Sequence, residues 1–229
     1  MNAISYPQQG KKNDNEFFGL KSRQAFMDLT DADCTSIRSI KEIIDRELPK
    51  ALDSFYEQVR KTDETRAFFS SENHIAHAKA AQQEHWKSIS SARFDQAYAA
   101  KVNAIGTVHA TIGLEPRWYI GGYAVVMDHL IHAIIKDMPL KTGLFSKGKE
   151  MVAQSLGDVL GSLVKAVFLE MDLTISVYLD EAEKARQKAR DEAIQKEQRF
   201  VCSRFGTVIK DIAERNLSSG MKDALPDAY

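Results

Sequence analysis

Cysteine is nearly absent from this chain of 229 residues: Cys34 and Cys202 are the only two, and they form no paired motif. Neither a disulfide framework nor a zinc ribbon is therefore indicated. Basic and acidic side chains are balanced at 31 and 32, so net charge gives no reason to expect nucleic acid as a partner. The sequence also lacks a Gly-rich phosphate loop, a nucleophile paired with a base and a carboxylate cluster. We therefore predict that the chain is not an enzyme.

Long uninterrupted apolar runs are also missing. The two most apolar segments, residues 119–138 and 151–179, are broken by charged or ionisable side chains, which argues against membrane insertion. Residues 1–17 have no apolar signal-peptide core, and we predict that residues 1–29 form a flexible leader. A cytoplasmic location is expected.

Proline and glycine are scarce, at 5 and 12 residues, and no stretch alternates polar and apolar side chains long enough to indicate a sheet. The pattern predicts an all-α fold. Start and stop signals predict helices that begin at Thr30–Asp31, near Glu47 with Pro49 in the first turn, at His74, at Phe94, at Pro116 and near Met151.

One predicted helical face in the middle of the chain carries three aliphatic side chains and one histidine: Val102, Ile105, His109 and Ile112. An Ile-Gly-Leu sequence then ends this helix, and Pro116 can begin the next one. A lone histidine on an apolar face is either a core residue with a hydrogen-bonded ring or a metal ligand. The residues alone leave both interpretations open.

Residues 109–123 have the pattern His-x-x-Ile-Gly-Leu-x-Pro-x-Trp-Tyr-Ile-x-Gly-Tyr. This pattern resembles the proximal region of the globin-coupled sensors, bacterial haem proteins that are related to protoglobins. Residues 52–59, 78–86 and 94–106 resemble other globin helices of that family, in the same order. The resemblance implies a globin-like, protoglobin-type sensor domain over residues 30–180.

The resemblance also implies haem b as the cofactor, with its iron held by His109 and oxygen as the ligand. No CxxCH motif is present, so the haem would be non-covalent. We expect the second ring nitrogen of His109 to bond a carbonyl or a hydroxyl. Tyr56 is in register with the distal tyrosine of many globin-coupled sensors and would donate a hydrogen bond to the iron-bound ligand. Without the resemblance, Tyr56 would be interpreted as a core tyrosine bonded to a backbone carbonyl.

Further pocket residues follow from the same resemblance. Tyr119 would be the tyrosine behind the axial histidine whose hydrogen bonding changes with the ligand state, although simple packing is an alternative. Phe69 would press on a haem face, and Ala78 and Ala81 occupy distal positions where the family has a leucine and a polar or small residue. His85 is interpreted as a packing residue. The predicted cofactor-binding set is His109, Tyr56, Phe69, Ala78, Ala81, Ile112, Tyr119 and Tyr123.

The C-terminal part of the sequence is strongly helix-forming and highly charged. Residues 181–213 lack proline and bear apolar side chains at intervals of three and four, which predicts a coiled-coil signalling helix. Residues 214–229 resemble the start of a HAMP-like linker, truncated before any output module. We expect a homodimer formed through the last two globin helices and the coiled coil.

The combined interpretation is a haem-based oxygen sensor domain that relays ligand binding to a chemotaxis-type output, as in aerotaxis. Two alternatives remain: a haem-free globin-like signalling module, and a globin that removes nitric oxide or stores oxygen. Histidine pairs at i, i+3 provide a weaker metal-site hypothesis because no further ligand lies near them in the sequence; they are His74 with His77 and His129 with His132.

Overall fold

The computed structural model describes residues 19–138 and 146–213, and within these ranges it contains helices and no strand. The all-α prediction is confirmed. The predicted leader up to residue 18, most of the connection after Met138 and the HAMP-like segment lie outside the described residues. The helices are α1 Leu20–Phe26, α2 Asp31–Ser39, α3 Lys41–Lys61, α4 Asp63–Arg66, α5 Glu72–Ser90, α6 Gln96–Thr111, α7 Pro116–Asp137 and α8 Ser146–Ala213.

Several helix ends follow from local side-chain chemistry. Thr30 and Asp33 form a capping box at the start of α2, with each side chain bonding the backbone N–H of the other. Asp95 accepts from the backbone N–H of Tyr98 and begins α6. Pro116 is the first residue of α7. A backbone N–H at this position has no partner within the helix, so its absence from proline costs no hydrogen bond. These three starts agree with the sequence signals.

Pro49 was interpreted wrongly. The proline signal predicts a helix that begins near Glu47 with Pro49 in its first turn, but α3 begins at Lys41 and Pro49 lies in its interior. A proline inside a helix removes one backbone hydrogen bond. The buried side chains on both sides of it, Ile44, Leu48 and Leu52, show that core packing holds α3 together across this point.

The helical body also begins earlier than the predicted boundary at residue 30. Helix α1 lies within the expected leader, and Leu20 is buried. Arg23 forms an ion pair with Asp172 and donates a hydrogen bond to Ser176 at 3.0 Å, so α1 is attached to α8.

Two glycines allow the helices around the site to approach closely. A Cβ on Gly122 of α7 would lie 2.8 Å from the ring of Phe55 on α3. A Cβ on Gly106 of α6 would lie 3.1 Å from Val177 and 3.4 Å from Thr174, both on α8. Both contacts are tight, so α6 and α7 depend on these small residues for their positions.

The chain divides into two compact units, Met1–Leu179 and Asp180–Tyr229. The first contains the hydrophobic core. In the described part of the second, the side chains are mostly exposed, and ion pairs along the helix join Lys184 to Glu181 and Arg186 to Glu183. None of the described helices combines the length and the apolar character needed to cross a membrane.

Candidate cofactor pocket

A cavity of about 560 Å³ opens among α3, α5, α6, α7 and the connection after α4. This volume is typical of small-molecule and cofactor sites. Its walls are mainly apolar, and they include all eight of the residues that the sequence predicted: Tyr56, Phe69, Ala78, Ala81, His109, Ile112, Tyr119 and Tyr123. The structure thus brings the predicted set together, while the role of each residue stays a prediction.

His109 lies in the last turn of α6, and the end of that helix fixes its backbone. Gly113 has a φ of 75°, in the left-handed region that favours glycine. The N–H of Leu114 donates to the carbonyl of His109 at 2.9 Å, and the N–H of Gly113 donates to Ala110 at 3.1 Å. These two bonds form a Schellman motif. The Ile-Gly-Leu sequence therefore anchors the residue that carries the imidazole.

The His109 ring is partly buried, and its Nδ1 atom is fully buried with no hydrogen-bond partner among the described residues. The expected bond to a carbonyl or hydroxyl is therefore not observed. Burial lowers the pKa of His109 below its usual value; His85 lowers it further and Glu170 opposes the shift. A low pKa keeps the imidazole neutral, which is the form that ligates iron. A neutral imidazole without a protein partner in a mainly apolar cavity fits a haem group, which needs one axial donor.

Tyr56 approaches the same cavity from α3, with only 4% of its surface exposed. Its ring makes edge contacts with Phe55 and Phe69, with centroids 4.9 and 6.0 Å away. Its hydroxyl makes no hydrogen bond to any part of the chain that the structure describes, so the backbone-bonded core tyrosine is not observed. Burial raises the pKa of Tyr56 to about 12, which keeps the hydroxyl protonated and able to donate.

Helix α5 supplies a polar pocket residue that the sequence analysis missed. Gln82 follows Ala81 directly and lines the cavity, and its buried Oε1 has no partner within the described ranges. An unpaired buried amide oxygen costs free energy unless a ligand or water satisfies it. The sequence signal was weak because Gln82 stands in a Gln-Gln-Glu run that is typical of a solvated helix face.

A buried carboxylate lies next to the wall that carries Tyr119. Glu170 of α8 is 0% exposed and accepts hydrogen bonds from the Tyr98 hydroxyl at 2.6 Å and the Tyr119 hydroxyl at 3.1 Å. Its Oε1 also lies 2.8 Å from Nε2 of His85. Thr174, one turn further along α8, is 2.9 Å from the Tyr119 hydroxyl. We call these five residues, with Tyr123 at 3.5 Å from Tyr119, the Glu170 network.

The network corrects the interpretation of His85 as a packing residue. Its ring lines the cavity, bonds Glu170 and stacks on Tyr98 with centroids 6.4 Å apart. Burial is the main cause that raises the pKa values of Tyr98, Tyr119 and Tyr123, and the charge of Glu170 adds to the shift in each. All three hydroxyls therefore stay protonated at neutral pH and serve as hydrogen-bond donors.

Of the four remaining histidines, His77 and His132 bond their own helices, whereas His74 approaches Ser70 and His129 lies 3.6 Å from Glu47 on α3. Nδ1 of His77 lies 2.8 Å from the carbonyl of Asn73, and Nδ1 of His132 lies 2.8 Å from the carbonyl of Asp128. Within residues 19–138 and 146–213, no three His, Cys, Asp or Glu side chains are grouped closely enough to hold a metal ion. A site at either i, i+3 pair would therefore need ligands from elsewhere.

Comparison with known proteins agrees with this geometry. The chain is similar to the heme-based aerotactic transducer HemAT of Halobacterium salinarum, with 22% identity over 161 residues, which are 69% of this chain and 32% of that protein. The chain thus spans about a third of the length of the curated relative it matches.

Two solved structures show the same fold. The globin domain of the Geobacter sulfurreducens globin-coupled sensor has a TM-score of 0.59 and 18% identity, covering 69% of this chain and 96% of that domain. The ferric globin domain of E. coli DosC has a TM-score of 0.50 and 19% identity, covering 69% and 97%.

The sequence resemblance to the globin-coupled sensors is confirmed by these likenesses. The model of the Protoglobin family matches residues 19–184, which is most of the chain and includes every helix that lines the cavity. The chain belongs to the protoglobin family.

Proposed function

We propose that this chain is a haem-based sensor domain for a diatomic gas, with oxygen as the ligand and His109 as the axial ligand of iron. The observation that carries the proposal is one mainly apolar cavity lined by three polar side chains that have no hydrogen-bond partner among the described residues: His109, Tyr56 and Gln82. Buried polar groups are normally satisfied. Unpartnered polar groups that line one cavity are therefore expected where a bound group completes them.

Haem b would supply an iron that His109 holds from one side and that leaves one coordination position for a gas. The protein supplies the surroundings. Phe69, Val108 and Ile112 line the cavity, and the last two are 58% and 49% exposed, so an apolar rim is available to cover a large planar ligand and exclude water. Ala78 and Ala81 leave space on the side of Tyr56 because their side chains are small.

Tyr56 would discriminate between gases. Its protonated hydroxyl is a donor, and a donor favours a ligand that takes on partial negative charge, as oxygen does, over carbon monoxide, which takes on less. Gln82 lies on the same lining and presents an unpaired oxygen. The amide of Gln82 has an acceptor oxygen and a donor nitrogen, so it would either hold a water in the pocket or donate a second hydrogen bond to the ligand.

We further propose a cytoplasmic homodimer that passes the ligand state to a chemotaxis-type output. Exposed apolar side chains on the globin helices support a dimer: Ile135 on α7 and, one turn apart on α8, Val164 and Phe168. In the second unit, Val201, Phe205 and Val208 follow one another at intervals of four and three, and the first two are exposed, as a coiled-coil seam would be before it pairs. In this proposal the domain is not an enzyme, and any catalytic output would belong to another part of the signalling system.

Titration of the purified apoprotein with haem tests the proposal. We expect one haem per chain for the wild type and none at stoichiometric concentrations for His109→Ala. His132→Ala is the matched control, because that side chain is 75% exposed and bonds its own helix, and it should bind haem as the wild type does.

A wild type that binds no haem would contradict the proposal and favour a haem-free signalling module. Equal binding by His109→Ala and the wild type would show that another residue holds the iron. Rapid nitric oxide turnover by the haem-loaded protein with a reductase would favour the enzymatic alternative.

A further inference from the structure

Glu170 is a fully buried carboxylate whose hydrogen-bond neighbours are donors. The Tyr98 hydroxyl reaches one oxygen, while the Tyr119 hydroxyl and the His85 ring reach the other. An ionised carboxylate only accepts hydrogen bonds, so this arrangement satisfies it. Hydrogen bonds to an ionised acceptor are about twice as strong as those between neutral groups. Glu170 is thus the strongest acceptor available to Tyr119.

The Tyr119 hydroxyl carries one proton and has three oxygens within reach. Thr174 is 2.9 Å away, Glu170 3.1 Å and Tyr123 3.5 Å. Because the carboxylate is the strongest of these acceptors, Tyr119 donates to Glu170, and its oxygen accepts from Thr174. Both partners lie on one face of α8, one turn apart. The hydroxyl is therefore held on α8 at two points.

The Tyr119 ring packs beside the ring of His109. The centroids of the two rings are 5.4 Å apart, and Nδ1 of His109 has no partner among the residues described. A histidine that holds a metal is expected to donate its second ring N–H to an oxygen. The Tyr119 hydroxyl, carried by this adjacent ring, is a candidate for that oxygen, and in the structure it bonds Glu170 and Thr174 of α8 instead.

Helices α6 and α8 also meet at this point. The Cγ2 atom of Thr174 is 3.4 Å from the place where a Cβ on Gly106 would lie, and Gly106 is one turn before His109 on α6. A movement of α6 near His109 would therefore press against Thr174, the residue of α8 that also contacts the Tyr119 hydroxyl.

We propose that Glu170 is a positioning residue that holds the Tyr119 hydroxyl on α8 and thereby keeps it from accepting the ring N–H of His109. This inference rests on the proposed role of His109 as the axial ligand. Tyr119 has two alternative positions, one bonded to α8 and one bonded to His109 on α6. Glu170 sets the balance between them, with Thr174 as the weaker of the two contacts on α8.

The iron–histidine stretching band in the resonance Raman spectrum of the ferrous, ligand-free protein tests this inference. A hydrogen bond from the ring N–H makes the imidazole a stronger donor and raises the band frequency. We expect Glu170→Gln to raise the band, because a neutral amide holds Tyr119 less strongly than a carboxylate. Thr174→Val should raise it by a smaller amount, and Thr174→Ser should restore the wild-type value.

Two controls separate positioning from general damage to the core. In a Tyr119→Phe background, neither Glu170→Gln nor Thr174→Val should shift the band, because residue 119 then has no hydroxyl that could bond His109. Tyr98→Phe removes a different donor from Glu170 and leaves its bond to Tyr119, so it should keep the wild-type band.

The inference is overturned if Glu170→Gln leaves the band unchanged, or if the shift persists in the Tyr119→Phe background. If Glu170→Gln binds no haem, Thr174→Val replaces it in the test. The inference is then overturned if Thr174→Val leaves the band unchanged in the otherwise wild-type protein, or still shifts it in the Tyr119→Phe background. A wild-type protein without haem would defeat the proposed function itself, whereas a haem-loaded protein with an unresponsive band would defeat only the role of Glu170.

Discussion

Tyr56 and Tyr119 are two buried tyrosines that line the same cavity, yet their hydroxyls differ in hydrogen bonding. The Tyr56 hydroxyl has no partner in the described parts of the chain. The Tyr119 hydroxyl has partners at 2.9, 3.1 and 3.5 Å. A hydroxyl that is paired within the protein stabilises the fold, whereas one without a protein partner does not. We call the side of Tyr56 the open wall and the side of Tyr119 the bonded wall.

The difference separates binding from positioning. The hydroxyl on the open wall makes no hydrogen bond within the described chain, which is why we propose that it serves a ligand that enters the cavity. On the bonded wall the hydroxyls are already satisfied within the protein, and they fix the geometry of the residues behind His109. Substitutions on the open wall should therefore change binding, and those on the bonded wall should change stability.

The largest stability effect is expected at Glu170. Glu170→Ala removes the acceptor of three buried donors and leaves His85 without its partner, which should cost about 3 to 5 kcal/mol in the free energy of unfolding. Denaturant unfolding of the haem-free protein measures this value. Gln82→Ala, which removes an amide oxygen that has no partner, is the control and should cost much less. Equal losses at the two positions would contradict the distinction between the walls.

The same chemical change on the two walls should have unequal effects on stability. Tyr98→Phe removes a 2.6 Å hydrogen bond to a carboxylate and should lower the free energy of unfolding by about 1.5 to 3 kcal/mol. Tyr56→Phe removes a hydroxyl that bonds nothing in the protein and should change stability by less than about 0.5 kcal/mol. A loss from Tyr56→Phe as large as that from Tyr98→Phe would show that the Tyr56 hydroxyl has a structural partner.

Gas binding should respond more to a substitution on the open wall than to one on the bonded wall, which is the reverse of the order expected for stability. A hydrogen bond to a charged group is worth about 1.5 to 3 kcal/mol, so Tyr56→Phe should weaken oxygen binding, or speed oxygen release, by about tenfold to a hundredfold. The affinity for carbon monoxide should stay nearly unchanged. Flash photolysis and stopped-flow mixing give both gas affinities on the same samples. Equal changes for the two gases would mean that Tyr56 acts through packing.

Alkaline pH gives a smaller test of the open wall. The pKa of Tyr56 is about 12 in the folded chain and about 10 in an unfolded one. Between these values the unfolded chain loses the proton and the folded chain keeps it, so stability is present below pH 10 and falls as the pH rises toward 12. Tyr56→Phe should lose less stability over this window than the wild type, and His132→Ala should match the wild type. Parallel curves for Tyr56→Phe and the wild type would mean that the hydroxyl titrates normally.

Sequence reasoning predicted the open wall better than the bonded one. The family resemblance supplied Tyr56, Ala78 and Ala81, which the structure places on the cavity lining, and helix starts such as Thr30 and Pro116 depend on neighbouring residues only. Pro49 was placed wrongly because a proline signal is local, whereas the packing that carries α3 through it is tertiary.

The Glu170 network could be predicted only in part. Glu170 shares helical spacing with Leu163, Val167, Thr174 and Val177, all buried on α8, so the sequence did show a charge on an apolar face. Its partners lie on three other helices, 51 to 85 residues away along the chain. No periodicity within one helix identifies such partners, and His85 accordingly looked like a packing residue.

The identity of the histidine that holds the iron is the central claim, and His85 is the rival because a carboxylate already orients its ring. The direct test is to load His109→Gly with haem in the presence of ¹⁵N-labelled imidazole and to record the iron–ligand stretching band, with His85→Gln as the parallel variant. We predict that the band of His109→Gly shifts with the isotope in the added imidazole, while His85→Gln keeps the iron–histidine band of the protein. The account would be contradicted if the iron–ligand band of His109→Gly had the same frequency with labelled and unlabelled imidazole, or if the iron–histidine band disappeared in His85→Gln.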